Sequence, residues 1–291
     1  MEIIERILDR LPAWPLRRQS PVVTVLHLDG IISHGRGLRR GLSLSSQAAA
    51  IDKAFRPRNL VAVALSVNSP GGSAVQAALI AKRIRDLAGE NDVPVIAFAE
   101  DIAASGGYWL ACAGDEIFAN ESSIIGSIGV VSGGFGFTEL IHKMGVERRL
   151  HTSGDKKAML DPFSAEKPAD IKHLKSLQRE IHETFAGMVR VRRGERLTGA
   201  DKDIFSGAFW TGGKALEMGL IDGIGDVRSV TRERFGERVR LLSVGAQRPL
   251  WRRFGVVERS SGGFGFASTE NLAADVLAAI EERLIWNRFG L

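Results

Sequence analysis

The sequence predicts an α/β domain with a mainly parallel sheet, and three observations carry that reading. Apolar, β-branched runs alternate with helix-like segments from Val22 to Ile221. Two glycine-rich turns, Asn68-Ser69-Pro70-Gly71-Gly72 and Ala103-Ala104-Ser105-Gly106-Gly107, each follow such a run and precede a helix. Strands separated by helices need crossover connections, and parallel pairing follows.

Taken in order, Val22 to Leu28 reads as a strand because it is β-branched and apolar, and Ser45 to Phe55 as a helix. Leu60 to Val67 is a buried strand. It feeds the first glycine turn, after which Ser73 is the expected N-cap of a helix to Leu87. Val93 to Ala99 is the next strand and Ser105 to Ala113 the next helix. Glu116 to Ala119 and Ile128 to Val131 are expected to be short strands joined by a turn-rich segment. Glu166 to Arg193 should form one long helix interrupted at most by Gly187. Gly212 to Met218 is a short helix before a strand-like Gly219-Leu220-Ile221. From Val244 the character changes: Pro249 and Ser260-Ser261-Gly262-Gly263 mark a linker to a final amphipathic helix, Asn271 to Trp286. The organisation expected is an amphipathic segment over 1–20, a main domain over 21–243, and a linker with C-terminal helix over 244–291. No repeat at a solenoid period interrupts this order.

A chain of 291 residues with 44% hydrophobic content can bury a sizeable core. Its net charge of +5 would suit an anionic partner, but the arginines are dispersed in pairs (Arg17-Arg18, Arg39-Arg40, Arg148-Arg149, Arg192-Arg193, Arg252-Arg253) and aromatics are only 7%. A solvated surface is therefore the first reading, contact with anionic lipid the second, and no nucleic-acid partner is expected. Cys112 is the only cysteine, so no intramolecular disulfide or cysteine zinc cluster can form, and its apolar neighbours make it a packed small hydrophobe. No run reaches about 18 uninterrupted apolar residues. Met1 to Arg18 lacks the apolar run of a signal peptide or anchor, although Ile3, Ile4, Ile7, Leu8 and Leu11 fall at helical spacing. The expected location is the cytoplasm or a membrane surface, reached peripherally.

The chemistry is read from the two turns. Glycines reach backbone angles that other residues avoid, and a helix start leaves NH groups unpaired, so the first turn can aim donors into a cleft. The second adds the Ser105 hydroxyl. An oxyanion hole facing a nucleophile is the minimum equipment for acyl transfer. The base is harder to find. None of the six histidines, His27, His34, His142, His151, His173 and His182, lies in a turn resembling that of a triad histidine. His151 is the best rival base, though a structural place at a strand end suits it better. A lysine serves as base where burial and a neighbouring cation favour its neutral amine. Thr152-Ser153-Gly154-Asp155-Lys156-Lys157-Ala158-Met159-Leu160 offers two lysines running into an apolar segment. Taken singly, Ser105 is a tight helix entry, the lysines are solvated charges, Ser127 is a turn hydroxyl, and Asp29-Gly30 and Asp222-Gly223 are plain turns.

At these residues the chain resembles the signal peptide peptidase A type of serine peptidase. The resemblance spans Pro21 to Ser243 and rests on five elements in order: Leu65 to Gly72, Ala103 to Tyr108, Ile125 to Val130, Ser153 to Lys157, and Trp210-Thr211-Gly212 through Gly219-Leu220-Ile221-Asp222. It implies a Clp protease/crotonase-like α/β spiral of repeated strand-strand-helix units, with appended C-terminal helices. It also implies a Ser/Lys dyad in which Ser105 is the nucleophile, Lys157 the general base, and Ser127 a hydroxyl that orients the lysine amine. Gly71, Gly72 and Gly106 would supply the oxyanion hole. Many relatives have an aromatic residue before the lysine, whereas this chain has Lys156, so Lys156 stays beside Lys157 as a candidate base. Peptide substrates, no cofactor or metal, and a homo-oligomer whose sites are shared between protomers are further implications. The alternatives are a crotonase-like acyl-CoA enzyme, which needs two backbone donors but no dyad, and a catalytically silent peptide-binding scaffold.

Overall fold

The computed structural model describes residues 20–34, 41–244 and 283–291. Its frame is an eight-stranded sheet. The strands are β1 (Val22–Asp29), β2 (Leu60–Ser69), β3 (Val95–Ala104), β4 (Glu116–Ala119), β5 (Ile124–Gly126), β6 (Phe209–Thr211), β7 (Gly223–Ile224) and β8 (Arg240–Val244). The main path runs β6-β5-β3-β2-β1-β8, with β4 pairing β3 and β7 off it. Only the β5–β6 pair is antiparallel. The helices are α1 (Leu44–Ala54), α2 (Ala74–Asn91), α3 (Gly106–Ala111), α4 (Thr138–Lys143), α5 (Pro168–Arg193), α6 (Asp201–Ile204), α7 (Gly212–Glu217) and α8 (Val227–Phe235).

Period-two alternation along the strands builds two cores. Leu26 and Leu28 of β1, Val63, Leu65 and Val67 of β2, and Ala97 and Ala103 of β3 face the larger one, filled by Ile51, Ile80, Ile84, Tyr108, Leu110 and Phe185 from the helices. Val23, Val25, Ala62, Ala64, Ile96 and Phe98 face the other way, against Val230 of α8. Near the end of β3 a smaller cluster joins Ile102 and Ala104 to Phe289 and Trp286 of the C-terminal segment.

Helix limits follow local chemistry. Ser73 caps α2 as expected, its hydroxyl accepting the Gln76 NH, and Ser43 and Ser46 form a reciprocal capping box at α1. Strand β3 runs five residues beyond its expected end, to the residue before Ser105, because Ile102, Ala103 and Ala104 pair with β5. Two expected strands are absent. Ile128 to Val131 follows a strand at Ile124–Gly126 and is not itself paired, and Gly219 to Ile221 is a turn that leads into Gly223–Ile224. The long helix α5 passes through Gly187 without interruption. The expected N-terminal amphipathic segment, apart from Ser20, and most of the 244–291 region lie outside the described residues.

Candidate active site

Strand β3 delivers Ser105 to the end of the sheet, and α3 starts at the next residue. Ser105 is half-buried and has φ 53°, ψ −123°, a conformation costly for a residue with a Cβ. What holds it there is local: its NH donates to the Gly126 carbonyl at 2.8 Å, and its carbonyl accepts from the Trp109 NH at 3.1 Å. The strained strand-to-helix corner leaves the residue partly accessible. No side chain among the described residues hydrogen-bonds that hydroxyl.

The first glycine turn lies directly against this corner. A Cβ on Gly71 would sit 2.7 Å from Ser105 Cβ and 2.8 Å from the Gly106 nitrogen, so only glycine permits the approach. The far side of the turn is clasped by the backbone of Ile32, which donates to the Gly71 carbonyl and accepts from the Ser73 NH, each at 2.8 Å. The three glycines differ in what their NH groups do. Gly71 NH donates to Ser69 Oγ at 3.2 Å, whereas those of Gly72 and Gly106 have no protein acceptor among the described residues. Ile32 was not singled out in the sequence; its signal is only the apolar Ile31-Ile32 pair after Asp29-Gly30.

Ser127 is on the neighbouring loop, 5% exposed, with φ 51°. Its NH donates to the Ala208 carbonyl at 2.7 Å, and the preceding Gly126 is the residue whose carbonyl holds Ser105. Ser105 and Ser127 are thus joined through one backbone hydrogen bond and the β3–β5 ladder.

The lysine segment makes no hydrogen bond to the serine corner among the described residues. Lys156 and Lys157 are exposed on a turn in which Lys157 NH bonds the Gly154 carbonyl, and neither ammonium has a partner among the described residues. This turn belongs to an arm of residues 131–167 that returns on itself through an Arg148–Asp161 ion pair at 2.8 Å, Arg148 over the Phe163 ring, and a Phe137–Phe163 contact. The arm has little core of its own: α4 buries no residue, and Val131, Phe135, Leu140, Met144, Val146 and Leu150 are exposed. His151 is exposed on it as well, not placed at a strand end.

A buried polar network lies behind Ser105. Tyr108, three residues along α3, donates its hydroxyl to the Leu220 carbonyl at 2.7 Å, and burial raises its pKa well above the ordinary value. Cys112 is 1% exposed, and burial pushes its thiol up to about 12, as befits a packing residue. Asp222, read from sequence as a plain turn, accepts two bonds from the buried Arg193 guanidinium, at 2.6 and 3.0 Å, and one from the Ile117 NH. Burial would raise its carboxyl, but those bonds outweigh burial and hold it below the ordinary value.

Comparison with known proteins gives the family. Residues 88–237 match peptidase family S49. A putative signal peptide peptidase SppA of Enterococcus faecium is 34% identical over 163 residues, 56% of this chain and 47% of that protein. A putative protease of Synechocystis is 30% identical over 245 residues, covering 82% of this chain and 84% of the relative. A protein of Brucella abortus named Na(+)/H(+) antiporter NhaA is 49% identical over 294 residues, and the match covers 98% of this chain but only 39% of that protein. The antiporter name is that of the whole Brucella protein. No helix among the described residues here is long and apolar enough to cross a membrane.

Proposed function

The chain belongs to peptidase family S49 and is of the SppA type, and from that premise we propose that it is an endopeptidase working through Ser105 and Lys157 without ATP. The observation that supports the reading is the close approach of Gly71 to Ser105 and to the Gly106 nitrogen, at a serine held at φ 53°. In the reaction, Ser105 Oγ attacks the scissile carbonyl carbon and its proton passes to the neutral amine of Lys157. The carbonyl oxygen becomes an oxyanion received by the free NH groups of Gly72 and Gly106, with Gly71 as the spacer that sets their separation. Collapse of the tetrahedral intermediate expels the amine product, which takes the proton from Lys157, and leaves an acyl-enzyme. Water, deprotonated by the same amine, then attacks the ester carbonyl; collapse of that intermediate breaks the bond to Ser105 Oγ, which takes the proton back from Lys157, and releases the acyl product as a carboxylic acid. Ser127 orients the lysine amine through its hydroxyl.

Lys157 meets Ser105 in a homo-oligomer, where the arm of one protomer reaches its neighbour's serine. Two features support that arrangement: the lysine turn makes no bond to the serine corner of its own chain, and the arm exposes six large apolar side chains without a core to cover them. The substrates are extended peptides, remnant signal peptides among them, whose backbone pairs beside the two turns. The Brucella abortus relative, more than twice as long and named as an antiporter, favours work at a membrane surface. The test is a fluorogenic peptide assay: Ser105→Ala and Lys157→Ala should abolish hydrolysis, and a Ser105→Ala variant with wild-type turnover would overturn the reading.

A further inference from the structure

The last turn of α5 carries Arg192, whose guanidinium reaches the far end of the helix that begins at Ser105. Its Nε donates to the Cys112 carbonyl at 2.8 Å, and its Nη2 donates to the Gly114 carbonyl at 2.7 Å and to the Asp115 carboxylate at 3.3 Å. The Cys112 carbonyl belongs to the C-cap of the six-residue helix, and the Gly114 carbonyl lies two residues beyond it in the turn that follows. A planar cationic fork satisfies both, with charge-assisted bonds, and fixes the helix in direction as well as position. Arg192 is itself held: its carbonyl accepts from Arg196 at 2.6 Å, and Arg193 beside it is locked to Asp222. Two turns back along α5, Phe185 stacks on Trp109 of α3 with ring centroids 4.9 Å apart. Helix α5 is 26 residues long, and its buried residues, Phe185, Ala186, Val189 and Arg193, all lie in its C-terminal half. The other half leads back to the arm that carries Lys157.

We propose that Arg192 is a positioning residue for Ser105: it fixes the nucleophile's helix to α5, the same rigid element that carries the arm with the general base. The proposal rests on the Ser105 reading above. Arg85 of α2 also holds this end, donating to the Ala113 carbonyl at 3.2 Å, so loss of the fork loosens the helix end without freeing it. Ser105 holds an unfavourable φ, and that loosening lets the corner relax and moves the hydroxyl away from the oxyanion donors. A displacement of about 1 Å at a reacting group costs on the order of a hundredfold in rate. Peptide binding along the two turns does not depend on the fork.

The test compares Arg192→Ala and Arg192→Lys with Arg190→Ala, a control from the same turn of α5. Arg190 pairs with Asp201 and covers the Phe205 ring, with no bond to α3. Peptide turnover and the rate of Ser105 labelling by a fluorophosphonate are measured in the full chain, well below each variant's melting midpoint. Arg192→Ala should lower kcat at least tenfold, leave KM within twofold, and slow phosphonylation in proportion. Arg192→Lys, a single-point donor, should fall between it and the wild type, and Arg190→Ala should keep wild-type kcat. Wild-type kcat and labelling in Arg192→Ala, or a loss no larger than that of Arg190→Ala, would overturn the positioning role alone. Failure of the reagent to label the wild-type serine at all would overturn the serine reading with it.

Discussion

At the scale of single residues, the site depends on close backbone approach more than on side-chain bonding. Gly71→Ala drives a Cβ to within 2.7 Å of Ser105 Cβ and 2.8 Å of the Gly106 nitrogen, at a residue whose φ is 104°. Neither side can give way cheaply, because one is the backbone of the strained Ser105 corner and the other is held by the Ile32 clasp. The variant should fold and lose about a hundredfold in kcat, as expected for a displaced oxyanion donor. Steady-state kinetics beside circular dichroism would check this, and an unchanged kcat would remove Gly71 from the site. The buried thiol gives a second prediction. Cys112 should resist iodoacetamide at pH near 8 in the folded protein and react after denaturation, because burial holds it protonated up to about 12. Rapid alkylation of the native chain, read by mass spectrometry, would contradict its place in the core.

At the scale of elements, the end of α5 anchors the polar network behind the site. Arg193 is 2% exposed and Asp222 15%, and the two share two hydrogen bonds. Asp222→Ala leaves a buried guanidinium without its carboxylate and should cost about 3–5 kcal/mol, seen as a lowered denaturation midpoint. A loss under about 1 kcal/mol would mean that Arg193 finds another acceptor. Asp115 behaves alike: burial would raise it, but the Val95 NH, Arg85 and Arg192 hold it below the ordinary value. For both carboxyls the folded value lies below the unfolded one of about 3.9, so their stabilisation is complete above that pH. It is lost as pH falls through the lowered folded values, and Asp222→Ala should therefore flatten the acid limb of the stability profile. The same scale shows what the sequence made legible. The larger helices and first three strands announce themselves by apolar period and by caps such as Ser73. Strands β5 to β8 are two to five residues long, too short for a period to emerge, and they exist because neighbouring strands supply their partners. The Asp222–Arg193 pair was hidden for a related reason: 28 residues separate its partners in the chain, and no local pattern joins them. The serine corner was visible because its requirements, small residues at a strand-to-helix turn, are written within five consecutive positions.

At the scale of the whole molecule, the exposed arm and a lysine turn with no bond to the serine corner are the grounds on which a neighbouring protomer is proposed. If each site takes Ser105 from one protomer and Lys157 from the next, two inactive variants mixed during assembly will rebuild working sites. Random mixing of equal amounts of Ser105→Ala and Lys157→Ala should restore about a quarter of the wild-type activity, since one neighbour pairing in four brings both native residues together. No recovery in co-assembled oligomers, verified by sedimentation, would place the dyad within one chain. Replacing Phe135 and Met144 on the arm by serine should shift the chain toward the monomer and cost activity together, because both are exposed at 78% and 67% in the single chain.

The measurement that tests the central claim most directly is hydrolysis of a fluorogenic peptide library by the wild type, Ser105→Ala, Lys157→Ala and Lys156→Ala, with intact-mass detection of an acyl adduct on Ser105. The dyad predicts activity and an adduct in the wild type, neither activity nor adduct in Ser105→Ala, no turnover in Lys157→Ala, and turnover kept in Lys156→Ala. Absence of hydrolysis and of any serine adduct in the wild type, even at alkaline pH where a lysine base is neutral, would contradict it.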